Sequence, residues 1–424
     1  MIAELLLWFA IAGLASCTGF LVLLAAAMLR FRRRQETYVA ADLPSVSLLK
    51  PLCGLEPGLE ANLASFFEQD YPAFEIVFGT RDSKDPALQV VRAVQKRYPQ
   101  VPVKVVLSGE PDRPNAKVCS LQKMYAKVSH DYLVISDSDV RVAPNYLQEV
   151  IRPLLDHNVG LVTCLYRGVP TGGIWSRLEA LGMSIEMTAG VLVADMLEGM
   201  RFALGPTMAT RRDVLQTVGG FEGLADFCAD DYLLGQKIYE SGRQVVLSEH
   251  VIDHFACNRS FKPSILHQLR WMKSTRFSRP MGHIGTALTF AMPFGLLGAG
   301  AGVAMGRPLL GLALLAVAVL NRLLMAVTAG WGAVHDRRSL RNCWLYPVRD
   351  LMGFFFWSAS FFGRGIVWRG ERYRLEYGGK MVRIGGAPTT AAPTSIGRSM
   401  PTTSCASRHR STFPAITWIL HSMR

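Results

Sequence analysis

The sequence predicts an α/β domain held to a membrane, and three observations carry that reading. Between residues 44 and 260, short runs rich in β-branched residues alternate with helix-length stretches, the rhythm of a mostly parallel sheet covered by helices. An uncharged apolar segment spans residues 5–29 and ends in Arg30-Phe31-Arg32-Arg33-Arg34. Two more long apolar stretches lie late, at 284–305 and 309–334.

Residues 1–34 come first. A bilayer core about 30 Å thick takes ~20 helical residues, so the first apolar segment can span it. Its basic cluster follows the apolar run instead of preceding it, unlike a cleaved signal peptide. An uncleaved anchor with the cluster on the cytoplasmic side is expected. In 44–260 the strand candidates are VSLLK (46–50), FEIVFGT (74–80), VPVKVVL (101–107), YLVIS (132–136) and GLVTCL (160–165). Helical stretches at 56–69, 85–98 and 115–129 separate them, and helices follow at 173–199, 211–218 and 230–241.

Residues 261–281 mix Ile265, Leu266, Leu269, Trp271 and Met272 with Lys and Arg, as an amphipathic helix at a membrane surface does. Membrane segments are expected over 282–365, the second of them interrupted by Asn321-Arg322. An ionisable residue inside a span is a functional candidate by default; a buried structural pair explains Arg322 as well. The shorter run 351–362 suits an interfacial or re-entrant helix. A further crossing would put Arg364, Arg369, Arg372 and Arg374 outside, against the positive-inside tendency. Residues 366–424 begin basic and turn rich in Thr, Pro, Ser and Ala beyond Gly385, a composition that builds no packed core.

Of the 424 residues, 50% are hydrophobic, and the formal net charge is +13. The basic residues cluster beside apolar segments, which points to anionic lipid headgroups and away from nucleic acid. The eight Cys form no C-x-x-C pair, so neither a disulfide framework nor a zinc knot is expected.

No G-x-G-x-x-G or P-loop occurs, so the familiar phosphate-cradling glycine loops are absent, and there is no H-E-x-x-H or G-x-S-x-G. What remains is a set of aspartates at strand ends. Asp137 and Asp139 follow the YLVIS strand two positions apart, where an extended chain points them the same way. Paired carboxylates suit a hard divalent cation that leaves places open for phosphate oxygens. A solvated turn is the plain alternative. Asp82 follows the second strand, where Asp-Ser-Lys-Asp-Pro also reads as a helix N-cap. Asp230 and Asp231 open a helix; either could be a cap, and an ionised carboxylate there could serve as a general base. His267-Gln268-Leu269-Arg270-Trp271 reads first as interfacial anchoring.

Taken in order, Asp82, Asp137-Ser138-Asp139, Asp231 and Arg270-Trp271 resemble the inverting glycosyltransferases of the GT-A fold, a Rossmann-like nucleotide-diphospho-sugar transferase architecture. With LLKPLCGLEPGLEANLASFFEQDYPAFEIVFGTRDSKDP, GLVTCLYRG, GPTMATRRDVLQTVGGF and HQLRWMKSTR, the chain resembles the ceramide glucosyltransferase family, including its bacterial hopanoid-modifying relatives. The resemblance implies a UDP-sugar donor, a divalent metal (Mn2+ or Mg2+) and a lipid acceptor, ceramide or hopanoid, reached from membrane lipids. It implies that Asp82, Asp137 and Lys117 bind the nucleotide-sugar, with His267, Arg270 and Trp271 beside them. Asp139 with Asp137 would take the metal, and Asp231 or its neighbour Asp230 would be the base. His267 stands where the family pattern usually has Gln or Arg. Transfer of N-acetylglucosamine to a hopanoid polyol, processive polysaccharide synthesis and non-catalytic lipid binding are the other readings.

Overall fold

A computed structural model describes residues 1–34, 42–258 and 260–384; the Thr/Pro/Ser/Ala-rich tail expected beyond Gly385 lies outside the described residues. Eight strands form the main sheet: β1 (Val46–Pro51), β2 (Phe74–Thr80), β3 (Val103–Leu107), β4 (Tyr132–Ile135), β5 (Val140–Arg141), β6 (Val159–Pro170), β7 (Met208–Arg211) and β8 (Gln244–Ala256). Their order is β3-β2-β1-β4-β7-β6-β8-β5. The pairs β1–β2, β2–β3 and β1–β4 are parallel, with Leu48 facing both Ile76 and Val134. β7 runs antiparallel to β4 and β6. Carboxyl ends of β1 to β4 therefore share one edge, the place where open α/β sheets hold ligands. β1 and β4 are buried on both faces, as central strands must be, β1 with Ser47 and Lys50 among its buried residues.

β8, the longest strand, has no counterpart among the sequence-predicted elements, because Glu249, His250, Asp253 and His254 interrupt its apolar pattern. β6 extends to Pro170, well past the expected 165, and pairs β8 along most of its length. The helix expected from residue 56 starts at Leu59: Pro57 and Gly58, the latter at φ 79°, leave residues 52–58 as a loop above β1.

The anchor is one helix, Ile2–Arg32. Its basic flank docks onto the helix Gly173–Glu198, where Arg34 reaches Asp195 at 2.5 Å and Arg30 donates to the Met196 carbonyl. Among the described residues, three helices are long and apolar enough to cross a membrane: Ile2–Arg32, Gly173–Glu198 and Pro308–Ala333. The first and last leave most of their apolar surface uncovered, with 28% and 33% buried, whereas 72% of Gly173–Glu198 is already packed inside the protein.

The stretch 284–305 is not one straight span. Pro280–Thr289 and Ala291–Ala304 meet at 47°; Pro293 has no N–H and its ring would strike the carbonyl four residues back, so the helix restarts just before it. Small residues let these helices close up: a Cβ at Gly302 would fall 2.7 Å from Gly311 N. Arg322 is a structural pair, 2.8 Å from Asp350, both about 1% exposed. The run 351–362 belongs to the helix Tyr346–Ser360, whose Arg349 and Asp350 are buried.

Residues 365–383, expected only as a basic flank, form a second sheet of β9 (Gly365–Trp368), β10 (Glu371–Leu375) and β11 (Met381–Arg383). Alternation explains it: Ile366, Tyr373, Leu375 and Met381 turn inward onto Cys228 while the arginines turn out.

Candidate active site

The bend after β4 carries Asp137-Ser138-Asp139. β5 then crosses to the far edge of the sheet, where Val140 pairs with His254 and Phe255 N donates to the Asp139 carbonyl at 2.8 Å. That pairing fixes the Asp139 carboxylate beside β8: Oδ2 lies 3.1 Å from His254 Nε2. Burial opposes the Asp139 charge, but His254 and Lys50 outweigh it and hold the carboxyl below its ordinary range. Burial likewise opposes charge on His254, and Asp139 raises it. Beneath the bend, Lys50 is fully buried, 3.5 Å over the Phe66 ring, and donates to the Asp137 carbonyl at 2.5 Å. Burial brings its ammonium down to about 7 against the pull of Asp137 and Asp139.

Lys117 lies in the first turn of Ala116–Tyr125, a helix capped by Asn115, whose Oδ1 accepts from Val118 N. Its Nζ meets Asp137 Oδ1 at 2.6 Å. Burial opposes the charge, and Asp137, Asp230 and Asp231 together outweigh it. Asn115 also ties the second acidic pair in place, since its Nδ2 donates to Asp230 Oδ1 at 3.1 Å. Asp231 accepts from Gly205 N at 2.7 Å and from Tyr232 N at 2.8 Å. Its carboxyl is pushed up to about 6, first by burial and then by Asp230. Thus Asp137 pairs with the Lys117 ammonium, Asp230 and Asp231 act on the same charge, and Asp139 is held by His254.

A cleft of about 380 Å3 opens at this edge. Pro51 at the end of β1, Leu52 and Cys53 after it, Arg81 after β2, Ser108 after β3, and Lys117 line it, with Arg369 reaching in from the second sheet. Asp82 stands outside that lining. It is exposed and its Oδ1 accepts from Lys84 N at 2.9 Å, the local turn bonding that Asp-Ser-Lys-Asp-Pro also allowed.

The R-W helix, Phe261–Ser278, divides its signature residues. His267 Nδ1 lies 2.7 Å from the buried Glu179 and its ring packs 4.2 Å from Trp271. His267 therefore holds this helix to Gly173–Leu181, with Trp271 packed against it one turn on. Arg270 turns the other way: it faces the Trp368 ring at 5.2 Å and acts on Cys228, two residues before Asp230.

Two residues escaped the sequence reading. His254 sat in the unrecognised β8. Glu56 falls within the helix expected over 56–69, but in the loop it bonds Ser138, and its carboxyl is pushed up to about 7 by burial and then by Asp139. The Pro57-Gly58 break was the available signal.

Among the described residues, no three His, Cys, Asp or Glu side chains gather into a full metal-ligand set. What the site offers is partial: Asp139 Oδ1 and Glu56 Oε2 are buried with no hydrogen-bond partner. A hard cation that completes its shell with substrate phosphate and water needs only one or two protein carboxylates, and these residues fit it.

Such an α/β edge, with carboxylates massed above it and apolar helices packed beside it, is the layout of a membrane-held transferase. The profile of Glycosyl transferase family 21 matches residues 7–381. The chain belongs to that family and is a glycosyltransferase. It is similar to ceramide glucosyltransferase 1 of Caenorhabditis elegans, 24% identical over 365 residues, or 83% of this chain and 76% of the relative. Ceramide glucosyltransferase of Komagataella phaffii is 32% identical over a shorter stretch, 35% of this chain and 29% of that one. Among solved structures, a mannosyltransferase of Pyrobaculum calidifontis with GDP-Man and Mn2+ covers 82% of this chain and 98% of its own at 19% identity and TM-score 0.48.

Proposed function

We propose that this glycosyltransferase moves glucose from UDP-glucose to the hydroxyl of a ceramide-type lipid, inverting the anomeric carbon to give a β-glycolipid. The carrying observation is the Lys117–Asp137 pair at 2.6 Å beside the cleft, with Asn115, two residues before Lys117, bonded to Asp230 next to Asp231. The relatives' names supply the choice of ceramide and glucose.

Asp231 takes the acceptor's hydroxyl proton as that oxygen attacks the anomeric carbon from the face opposite the leaving group. The bond from that carbon to the phosphate oxygen breaks, and its electron pair leaves on UDP. Lys117 faces the negative charge that builds there, and Arg270 is the second cation assigned to it. A divalent cation, Mn2+ or Mg2+, would be held by Asp139, with Asp137 and His254 beside it, and supplies further charge neutralisation when bound. The apolar acceptor reaches the site from the bilayer in which helices Ile2–Arg32 and Pro308–Ala333 sit. The basic cluster 30–34 supports a cytoplasmic side for the sheet domain.

Purified protein given Mn2+, ceramide and UDP-glucose is expected to release UDP and label the lipid, and chelation with EDTA is expected to stop both. No UDP release with any UDP-sugar would overturn the enzymatic reading. Label carried only by a hopanoid polyol from UDP-N-acetylglucosamine would replace donor and acceptor while keeping the chemistry.

Gly205 gives a finer test. Its amide holds Asp231, and an added Cβ would fall 2.9 Å from Asp231 Oδ2. Gly205→Ala is expected to lower turnover by up to ~10²-fold through displacement of the base, with UDP affinity nearly unchanged. Initial rates and a UDP titration check it.

A further inference from the structure

β9 and β10 are joined by a two-residue turn, since Trp368 pairs with Glu371. Both turn residues have positive φ, 51° at Arg369 and 86° at Gly370. Such mirror-image turns favour Asn, Asp or Gly at the first place, because a longer side chain is strained in the left-handed region. Arginine is a costly choice for the turn alone, and strain of this kind gathers at functional sites. The hairpin is fastened where it matters. Cys228 N donates to the Gly379 carbonyl, Met381 N to the Asp226 carbonyl and Lys273 Nζ to the Gly365 carbonyl. Cys228, Ile366, Tyr373, Leu375 and Met381 form its small core. The second sheet thus hangs from the segment that leads into Asp230 and Asp231.

At the tip, Trp368 faces Arg270 at 5.2 Å, and Arg369 lines the cleft opposite Lys117. Among the described residues, no carboxylate lies within ion-pair distance of Arg369. Its positive charge reaches Glu56, which lies against Ser138 of the Asp137–Asp139 bend. An exposed, unpaired guanidinium is therefore held over the end of the cleft where Lys117 and the acidic bend meet. Guanidinium geometry matches phosphate oxygens in pairs.

We propose that Arg369, at the tip of the C-terminal hairpin, clamps the diphosphate of the donor, so that the donor site is completed by chain lying beyond the membrane helices. This rests on the donor being a nucleoside diphosphate sugar. Nothing in the R-W signature or the aspartate motifs includes this residue.

The test is a titration of the full-length protein in detergent, with Mn2+ present, by UDP and separately by uridine. Arg369→Ala is expected to weaken UDP binding roughly tenfold or more, the loss of a charge-assisted bond, and to leave uridine binding unchanged. Arg369→Lys should retain part of the UDP affinity, and Arg372→Ala, exposed on the adjacent strand, all of it. Arg369→Gly relaxes the turn and removes the side chain; it should match Arg369→Ala. If wild-type binds UDP and Arg369→Ala binds it equally well, the clamp is refuted. Wild-type affinity in Arg369→Gly would trace the alanine effect to the turn backbone and refute it too. Wild-type protein that binds no UDP would instead strike the functional reading beneath.

Discussion

Asp231→Asn is expected to lower sugar transfer by ~10²–10⁴-fold, the usual contribution of a positioned base, while UDP still binds. The carboxylate is placed by two amides, Gly205 N and Tyr232 N, and by the start of its own helix. Asparagine keeps the size and one acceptor oxygen but cannot take a proton at neutral pH. Asp230→Asn is the matched comparison. Asp230 already accepts from Asn115, so its removal should loosen the loop and cost much less transfer. Near wild-type turnover in Asp231→Asn, with loss in Asp230→Asn, would reverse the assignment. Single-turnover rates with lipid acceptor, set beside UDP affinity, separate the outcomes.

The same carboxylate sets an acid limit on activity. Burial, then Asp230, push it up to about 6. The base works ionised, so activity should be full above that value and fall as pH drops through it. Removing a like charge lowers a neighbour's pKa; the acid limb of Asp230→Asn should therefore move to lower pH. A limb that moved upward would mean Asp231 is not the group being titrated.

The acidic bend was legible because Tyr132–Ile135 is apolar without a break and then stops at Asp137. Few structures other than a central strand meeting a ligand edge produce that contrast. The anchor was legible for the same reason, as composition over a length fixed by the bilayer. What failed to show was side-chain chemistry hidden by its own placement. β8 turns His254 to the acidic bend and Asp253 to Arg167, so polar residues on both faces mask its strand character, and His254 with it. Lys50 is the charged last residue of the VSLLK run, yet it is buried under the bend it supports. Asp82 and His267 carried the motif positions, but local bonding to Lys84 N and to Glu179 engages them. Sequence spacing locates such residues along the chain; which way they turn depends on neighbours far away in it.

Asp350→Ala is expected to destabilise the membrane region by ~3–5 kcal/mol, the cost of leaving one member of a buried ion pair without its partner. Arg322 and Asp350 are both about 1% exposed, and they sit on different helices. Asp350 has a second task. Its Oδ2 accepts at 2.8 Å from Met292 N, one of the free amides at the helix start that follows the break before Pro293. One carboxylate thus joins three helices: it neutralises the arginine of Pro308–Met325, caps Ala291–Ala304 and is carried by Tyr346–Ser360. The alanine variant strands a guanidinium and opens a cap together. Arg322→Met alone should cost less, since Asp350 keeps the Met292 amide. Adding Arg322→Met to Asp350→Ala should restore a large part of the loss, because no uncompensated charge remains. Thermal unfolding in detergent, followed by the fraction that stays monodisperse, measures all three variants. Costs that simply add in the double variant would show that the pair does not hold these helices through its charge.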